Sequence, residues 1–175
     1  MSKPLQNCSP AERTVVALLA VHGEALGKTR ILEYLRHMGV RDARGRGFTN
    51  VTLGETLGRL RELGLATAPE GSGFICAPHI AQQALREALD NGSFDALCMA
   101  IEEIDPARRT YGGHLYMRTY PQAVARLRMA MLRGLSPQEL LPWLEACYQF
   151  EVSSESHPYA DAIGRPFDAS LFAHL

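Results

Sequence analysis

Apolar residues recur at helical spacing along most of this chain, separated by short glycine- and proline-marked breaks. Ser9-Pro10-Ala11-Glu12 predicts a helix start. Ser9 caps the free amides, Pro10 fits the first helical position, and Glu12 completes a capping box. Val15, Val16, Leu18, Leu19 and Val21 form its apolar stripe, and Gly23 ends it. A second helix opens at Gly27-Lys28-Thr29, buries Ile31, Leu32 and Leu35, and closes at Met38-Gly39-Val40. The polar link Arg41-Asp42-Ala43-Arg44-Gly45-Arg46-Gly47 follows, and its glycines mark it as flexible. Thr49 and Asn50 are candidate caps of a third helix, with Thr52 a later start. Leu53, Leu57, Leu60 and Leu63 make one apolar seam, and Gly64 ends it. Leu65–Ala68 and Phe74–Ala77 read as two strands around the turn Pro69-Glu70-Gly71-Ser72-Gly73. Pro78 then opens a helix through Leu89.

The second half also reads as helical with breaks. Phe94, Leu97, Cys98, Ile101 and Ile104 give one apolar face, interrupted at Asp105-Pro106. Thr110 to Tyr120 holds Tyr111, Tyr116, Tyr120 and Gly112-Gly113, and reads as an ordered loop or a short extended piece. Pro121 starts a helix with Val124, Leu127, Met131 and Leu132 on one side, decorated by Arg126, Arg128 and Arg133. Ser136-Pro137-Gln138-Glu139 is a second capping box, opening a helix with Leu140, Leu141, Leu144 and Tyr148 that tolerates Pro142 near its start. Glu151 to Arg165 is polar and patternless. The last stripe, Phe167, Leu171, Phe172 and Leu175, reads as a helix that docks on the body or begins a further piece of chain.

The order is helix, helix, helix, strand, turn, strand, and Leu57-Gly58-Arg59-Leu60-Arg61-Glu62-Leu63-Gly64-Leu65 resembles the end of a recognition helix running into the wing of a winged helix-turn-helix domain. The resemblance covers about residues 9 to 78. It implies an N-terminal winged helix-turn-helix domain, with its connecting helix, over 1–90. The consecutive amphipathic helices of the second half suggest a C-terminal helical domain of antiparallel helix pairs over 91–175, so the chain is expected to be mainly α. The whole chain is also similar to the N-terminal region of large bacterial Swi/Snf-type helicases, which implies that any ATPase lies downstream.

In that fold the third helix enters the major groove of double-stranded DNA. The candidate phosphate contacts are Lys28, Arg30, Arg41, Arg44 and Arg46. The candidate base-edge contacts are Asn50, Thr52, Glu55 and Arg59. The expected role is a transcription regulator or the DNA-targeting region of a larger protein. Charge argues both ways. The chain carries 18 Lys/Arg and 19 Asp/Glu for a net charge of -1, Glu55 and Glu62 would repel phosphate, and the turn between the two strands holds Glu70 and no Lys or Arg. The alternative is a protein-interaction adapter, or a dimerisation module pairing with itself or another protein through the helical half. A third reading is a small-molecule sensor, with Tyr116, Trp143 and Tyr148 as reporters. Tyr111, Tyr116, Arg118, Tyr120 and Arg126 read either as a platform for stacking single strands or as amphipathic packing residues.

Composition limits the remaining classes. Hydrophobic residues at 46% and charged residues at 21% indicate a globular chain. No apolar run reaches the ~18 residues of a membrane span, and Met1–Pro10 lacks an export pattern. A cytoplasmic location with no membrane partner is therefore expected. Cys8, Cys76, Cys98 and Cys147 form no CxxC, and the six histidines show no metal-ligand spacing. His22-Gly23-Glu24-Ala25-Leu26-Gly27-Lys28-Thr29 lacks the first glycine of a phosphate-binding loop and follows a helix rather than a strand. Glu102, Glu103 and Asp105 read as a solvated face, and His114 as a structural loop histidine. No catalytic motif is present, so neither an enzyme nor a cofactor is expected.

Overall fold

The computed structural model describes residues 4–69, 71, 73–150, 157–164 and 168–173. It is mainly helical, with two small antiparallel two-stranded sheets. The α-helices are α1 (Pro10–His22), α2 (Lys28–His37), α3 (Asn50–Glu62), α4 (Pro78–Asp90), α5 (Phe94–Ile104), α6 (Tyr120–Leu132), α7 (Pro137–Cys147) and α8 (Pro158–Ile163). The strands are β1 (Ala66–Thr67), β2 (Ile75–Cys76), β3 (Arg108–Arg109) and β4 (Leu115–Tyr116). The chain divides into two compact units, Met1–Ile104 and Asp105–Leu175. Sequence patterning puts the division at 90/91; α5 accounts for the difference, because it packs on α1, α2 and α4.

In the first unit, α1 is the central element. Ser9 and Glu12 form the expected capping box, and Gly23 closes the helix in a left-handed conformation at φ 73°. The sequence shows a stripe, yet every residue from Val15 to His22 is buried. The reason is that α3, α4, α5 and β2 all pack against this one helix. The seam of α3 is buried at Leu53, Leu57 and Leu60, whereas Leu63, past the helix end, is exposed. Each buried leucine contributes roughly 1.5–3 kcal/mol.

Strands β1 and β2 pair antiparallel, with Ala66 opposite Cys76 and Thr67 opposite Ile75. Leu26, in the link between α1 and α2, forms an antiparallel bridge with Phe74 and so adds a third short edge. Glu70 and Ser72 of the intervening turn lie outside the described residues.

In the second unit, α6 packs against α7 and α8, and α7 also packs against β4 and α8. The core joins Leu115, Met117, Ala123, Leu127, Ala146, Cys147 and Ala162. Ser136 and Glu139 form the second capping box, and Pro142 is accommodated inside α7. One expectation needs correction. Arg126 and Arg128 do not decorate α6. Arg126 is 4% exposed and donates to the Asp105 carbonyl and carboxylate, and Arg128 donates to Asp161 O at 2.6 Å and Ala162 O at 3.0 Å. The segment Thr110–Tyr120 holds a short extended piece, β4, which pairs with β3 across an ordered turn. The patternless stretch before Arg165 contains α8, whose six residues are too few to show helical periodicity. Phe167 and Leu175 lie outside the described residues, while Leu171 is buried.

Candidate nucleic-acid interface

The link between α2 and α3 is a hydrogen-bonded turn rather than a free glycine linker. Arg41 and Gly47 pair across it in an antiparallel bridge. Asp42 N donates to Arg46 O at 2.7 Å, and Gly45 N donates to Asp42 O at 2.9 Å. The Asp42 carboxylate sits inside the turn, where Oδ1 accepts from both Arg44 N and Arg46 N at 2.9 Å. This is the arrangement by which a short acidic side chain replaces backbone pairing in turns. Phe48, buried at the end of the turn, anchors it to the core. Arg41, Arg44 and Arg46 are all exposed. None of the three forms an ion pair among the described residues.

The turn leads directly into the N-terminus of α3. Thr49 caps it, and Thr52 completes the box: Thr49 Oγ1 accepts from Thr52 N at 3.2 Å and Thr52 Oγ1 accepts from Thr49 N at 3.0 Å. The Thr52 hydroxyl is thus engaged in capping, not presented for a base edge. Asn50 and Val51, the first two helical residues, are exposed. The backbone amides at such a helix start attract anions. Lys28, exposed at the start of α2, reaches toward the same part of α3. Its Nζ lies 3.6 Å from where a Cβ at Gly54 would sit.

The other candidates are placed differently. Arg30 is exposed but pairs with Glu33 at 2.8 Å. Arg59 turns toward α1, with Nε 3.2 Å from Glu12 Oε1. Glu55 is exposed, on the outward face of α3 with Val51 and Glu62.

Charge in the first unit is strongly segregated. Residues 28–61 carry eight Lys/Arg and three Asp/Glu, whereas the rest of residues 1–104 carries three Lys/Arg and nine Asp/Glu. The near-neutral total conceals this. Sequence reasoning also missed Asp42 as the organiser of the turn, although an Asp followed at short range by two glycines is a turn signal. Among the described residues, no helix is long and apolar enough to cross a membrane, and no group of three or more His, Cys, Asp or Glu is placed to hold a metal ion. No protein-family model, no curated protein and no solved structure matches this chain.

Proposed function

We propose that the first unit is a winged helix-turn-helix module that binds double-stranded DNA through the start of α2, the arginine turn and the N-terminal half of α3. It would serve as a regulator or as the DNA-targeting region of a larger protein. The observation that carries this reading is the segregation of charge onto residues 28–61, with Arg44 and Arg46 exposed on a turn braced from inside by Asp42. The element order and the Leu26–Phe74 bridge beside β1 and β2 are consistent with a wing. Backbone contacts would come from Lys28, Arg41, Arg44 and Arg46, and a base-edge contact from Asn50. Arg30 and Arg59 are left out of the contact because acidic neighbours hold them.

A second reading has its own support. Val51 is 69% exposed and shares its face of α3 with Glu55 and Glu62, a surface better suited to a protein partner than to phosphate.

The test is anisotropy of a labelled duplex across a salt series, with the parent chain and Lys28→Ala/Arg44→Ala/Arg46→Ala. Each phosphate contact contributes about 0.9 to the slope of log K against log salt. The triple variant should therefore flatten the slope by about 2–3. Absence of duplex binding by the parent at low salt would overturn the DNA reading in favour of the protein partner.

A further inference from the structure

The β3–β4 hairpin of the second unit presents side chains that the core of that unit does not use. Arg108 pairs with Tyr116 across the two strands, and Arg109 pairs with Leu115. Directly opposed residues in an antiparallel pair share a face. Leu115 is buried in the core, so Arg108 and Tyr116 occupy the face turned away from it. Tyr116 is 43% exposed, and Tyr111 at the tip is fully exposed. A tyrosine ring left in water forgoes the burial that usually makes aromatic residues stabilising.

The hairpin is held in shape. Thr110 N donates to His114 O at 2.8 Å, Gly113 N donates to Thr110 O at 2.9 Å, and Arg109 Nη1 donates to Gly113 O at 2.7 Å. Gly113 takes φ 81°, a conformation open to glycine. Residues 106–120 hold three arginines and a histidine and no Asp or Glu. Arg118 is neutralised by Asp105 at 3.3 Å, whereas Arg108 has no ion pair among the described residues.

We infer that this hairpin binds single-stranded nucleic acid, with Tyr111 and Tyr116 stacking on bases and Arg108 contacting phosphate. The excess positive charge selects a polyanion. The exposed rings select one whose bases are unstacked, since duplex bases already stack on each other and offer no face to a side chain. The tyrosines of this segment thus separate. Tyr120 is a packing residue whose hydroxyl donates to Asp161 Oδ2 at 2.5 Å, while Tyr111 and Tyr116 remain available. The inference does not depend on duplex binding by the first unit.

The experiment measures anisotropy of labelled dT15, U15 and an abasic 15-mer with the full chain. Tyr111→Ala/Tyr116→Ala should weaken binding of the base-bearing strands about 10–100-fold, and Tyr111→Phe/Tyr116→Phe should keep it within about threefold, because stacking needs the ring and not the hydroxyl. The abasic strand should bind the parent as weakly as dT15 binds the alanine variant. A preference between dT15 and U15 identifies the natural strand, and binding of neither overturns the inference. Equal binding by the alanine variant, equal binding of the abasic strand, or failure of the phenylalanine variant each overturns it as well. Circular dichroism melts establish that the variants fold. Lys28→Ala/Arg44→Ala/Arg46→Ala should leave dT15 affinity within about threefold. Its loss there, with no effect of the tyrosine changes, would place the strand on the first unit and sink the hairpin assignment without touching the duplex proposal.

Discussion

Arg59 Nε lies 3.2 Å from Glu12 Oε1, so the third helix is tied to the first turn of the first. The Glu12 side chain is 7% exposed, and its Oε2 accepts from Ser9 N at 2.7 Å within the capping box. Removing the guanidinium leaves a buried carboxylate with one fewer charged partner. Arg59→Ala should therefore cost about 1–2 kcal/mol, a value held down by the exposure of the arginine itself. A thermal melt should show a fall of about 5–10 °C for a unit of this size. The salt slope for duplex DNA should be unchanged. A flattened slope with an unchanged melt would return Arg59 to the interface.

This pair also marks where sequence reading stops. The capping boxes at Ser9 and Ser136, the leucine seam of α3 and the β1–β2 pair follow from local patterns, and the structure contains each of them. Local patterns report on residues a few positions apart. Arg59 and Glu12 are 47 positions apart, and nothing in their separate neighbourhoods brings them together. The burial of Arg126 is similar, since it depends on Asp105 across a hairpin. That hairpin was within reach, because Gly112-Gly113 between Arg109 and Leu115 is a turn signal. Its strands are only two residues long, too short for alternation to register. In the candidate interface, Lys28, Arg44 and Arg46 were legible as exposed cations, whereas the bracing of their turn depended on where the Asp42 carboxylate points.

Gly73, just before β2, lies against the backbone of the α1–α2 link. Leu26 N and Phe74 N each donate to the other's carbonyl at 2.8 Å. A Cβ on Gly73 would lie 2.6 Å from both the carbonyl carbon and oxygen of Leu26, and its φ is +95°. Gly73→Ala should cost about 2–4 kcal/mol by combining backbone overlap with an unfavourable φ. Gly71, at φ +73° with open space around it, is the control. Gly71→Ala should cost only about 1–2 kcal/mol. Urea midpoints compare the two, and equal losses would mean that the strand moves aside freely.

All four cysteines are buried thiols. Burial pushes the Cys76 thiol up to about 12 and the Cys147 thiol up to about 11. A thiol-reactive dye at pH 8 should titrate four groups in denaturant and essentially none in the native protein. The same shifts set a direction for stability. Above pH 9 the unfolded chain loses thiol protons that the folded chain retains. The contribution is therefore intact below pH 9 and is lost progressively between about pH 9 and 12, at roughly 1 kcal/mol per pH unit for Cys76. The stability difference between the parent and Cys76→Ala should shrink over that range, and a constant difference would refute the assignment.

Arg126 holds Asp105 at the start of the second unit. It donates through Nη2 to the carbonyl and carboxylate, while its Nη1 is buried with no hydrogen-bond partner among the described residues. Arg126→Ala should cost about 3 kcal/mol through the cavity and the loss of both contacts. Arg126→Met keeps the volume and removes the buried charge, so it should cost clearly less. If the two variants unfold at the same denaturant concentration, the charged contacts rather than the packing dominate.

Asp42 separates electrostatics from architecture in the proposed DNA contact. As a negative charge beside three arginines, it should weaken phosphate binding. As the acceptor for Arg44 N and Arg46 N, it holds the turn that presents them. The repulsion from this one half-buried surface charge, screened by solvent and salt, is about 1 kcal/mol. Two charge-assisted hydrogen bonds at about 1.5 kcal/mol or more each outweigh it. Asp42→Ala should therefore lower duplex affinity about three- to tenfold although it makes the surface more positive. Asp42→Asn keeps an acceptor and removes the charge, so it should bind as tightly as the parent or up to about threefold tighter. Anisotropy at a single salt concentration ranks the three proteins. If Asp42→Ala binds more tightly than the parent, net charge alone governs the contact and the ordered turn has no part in it.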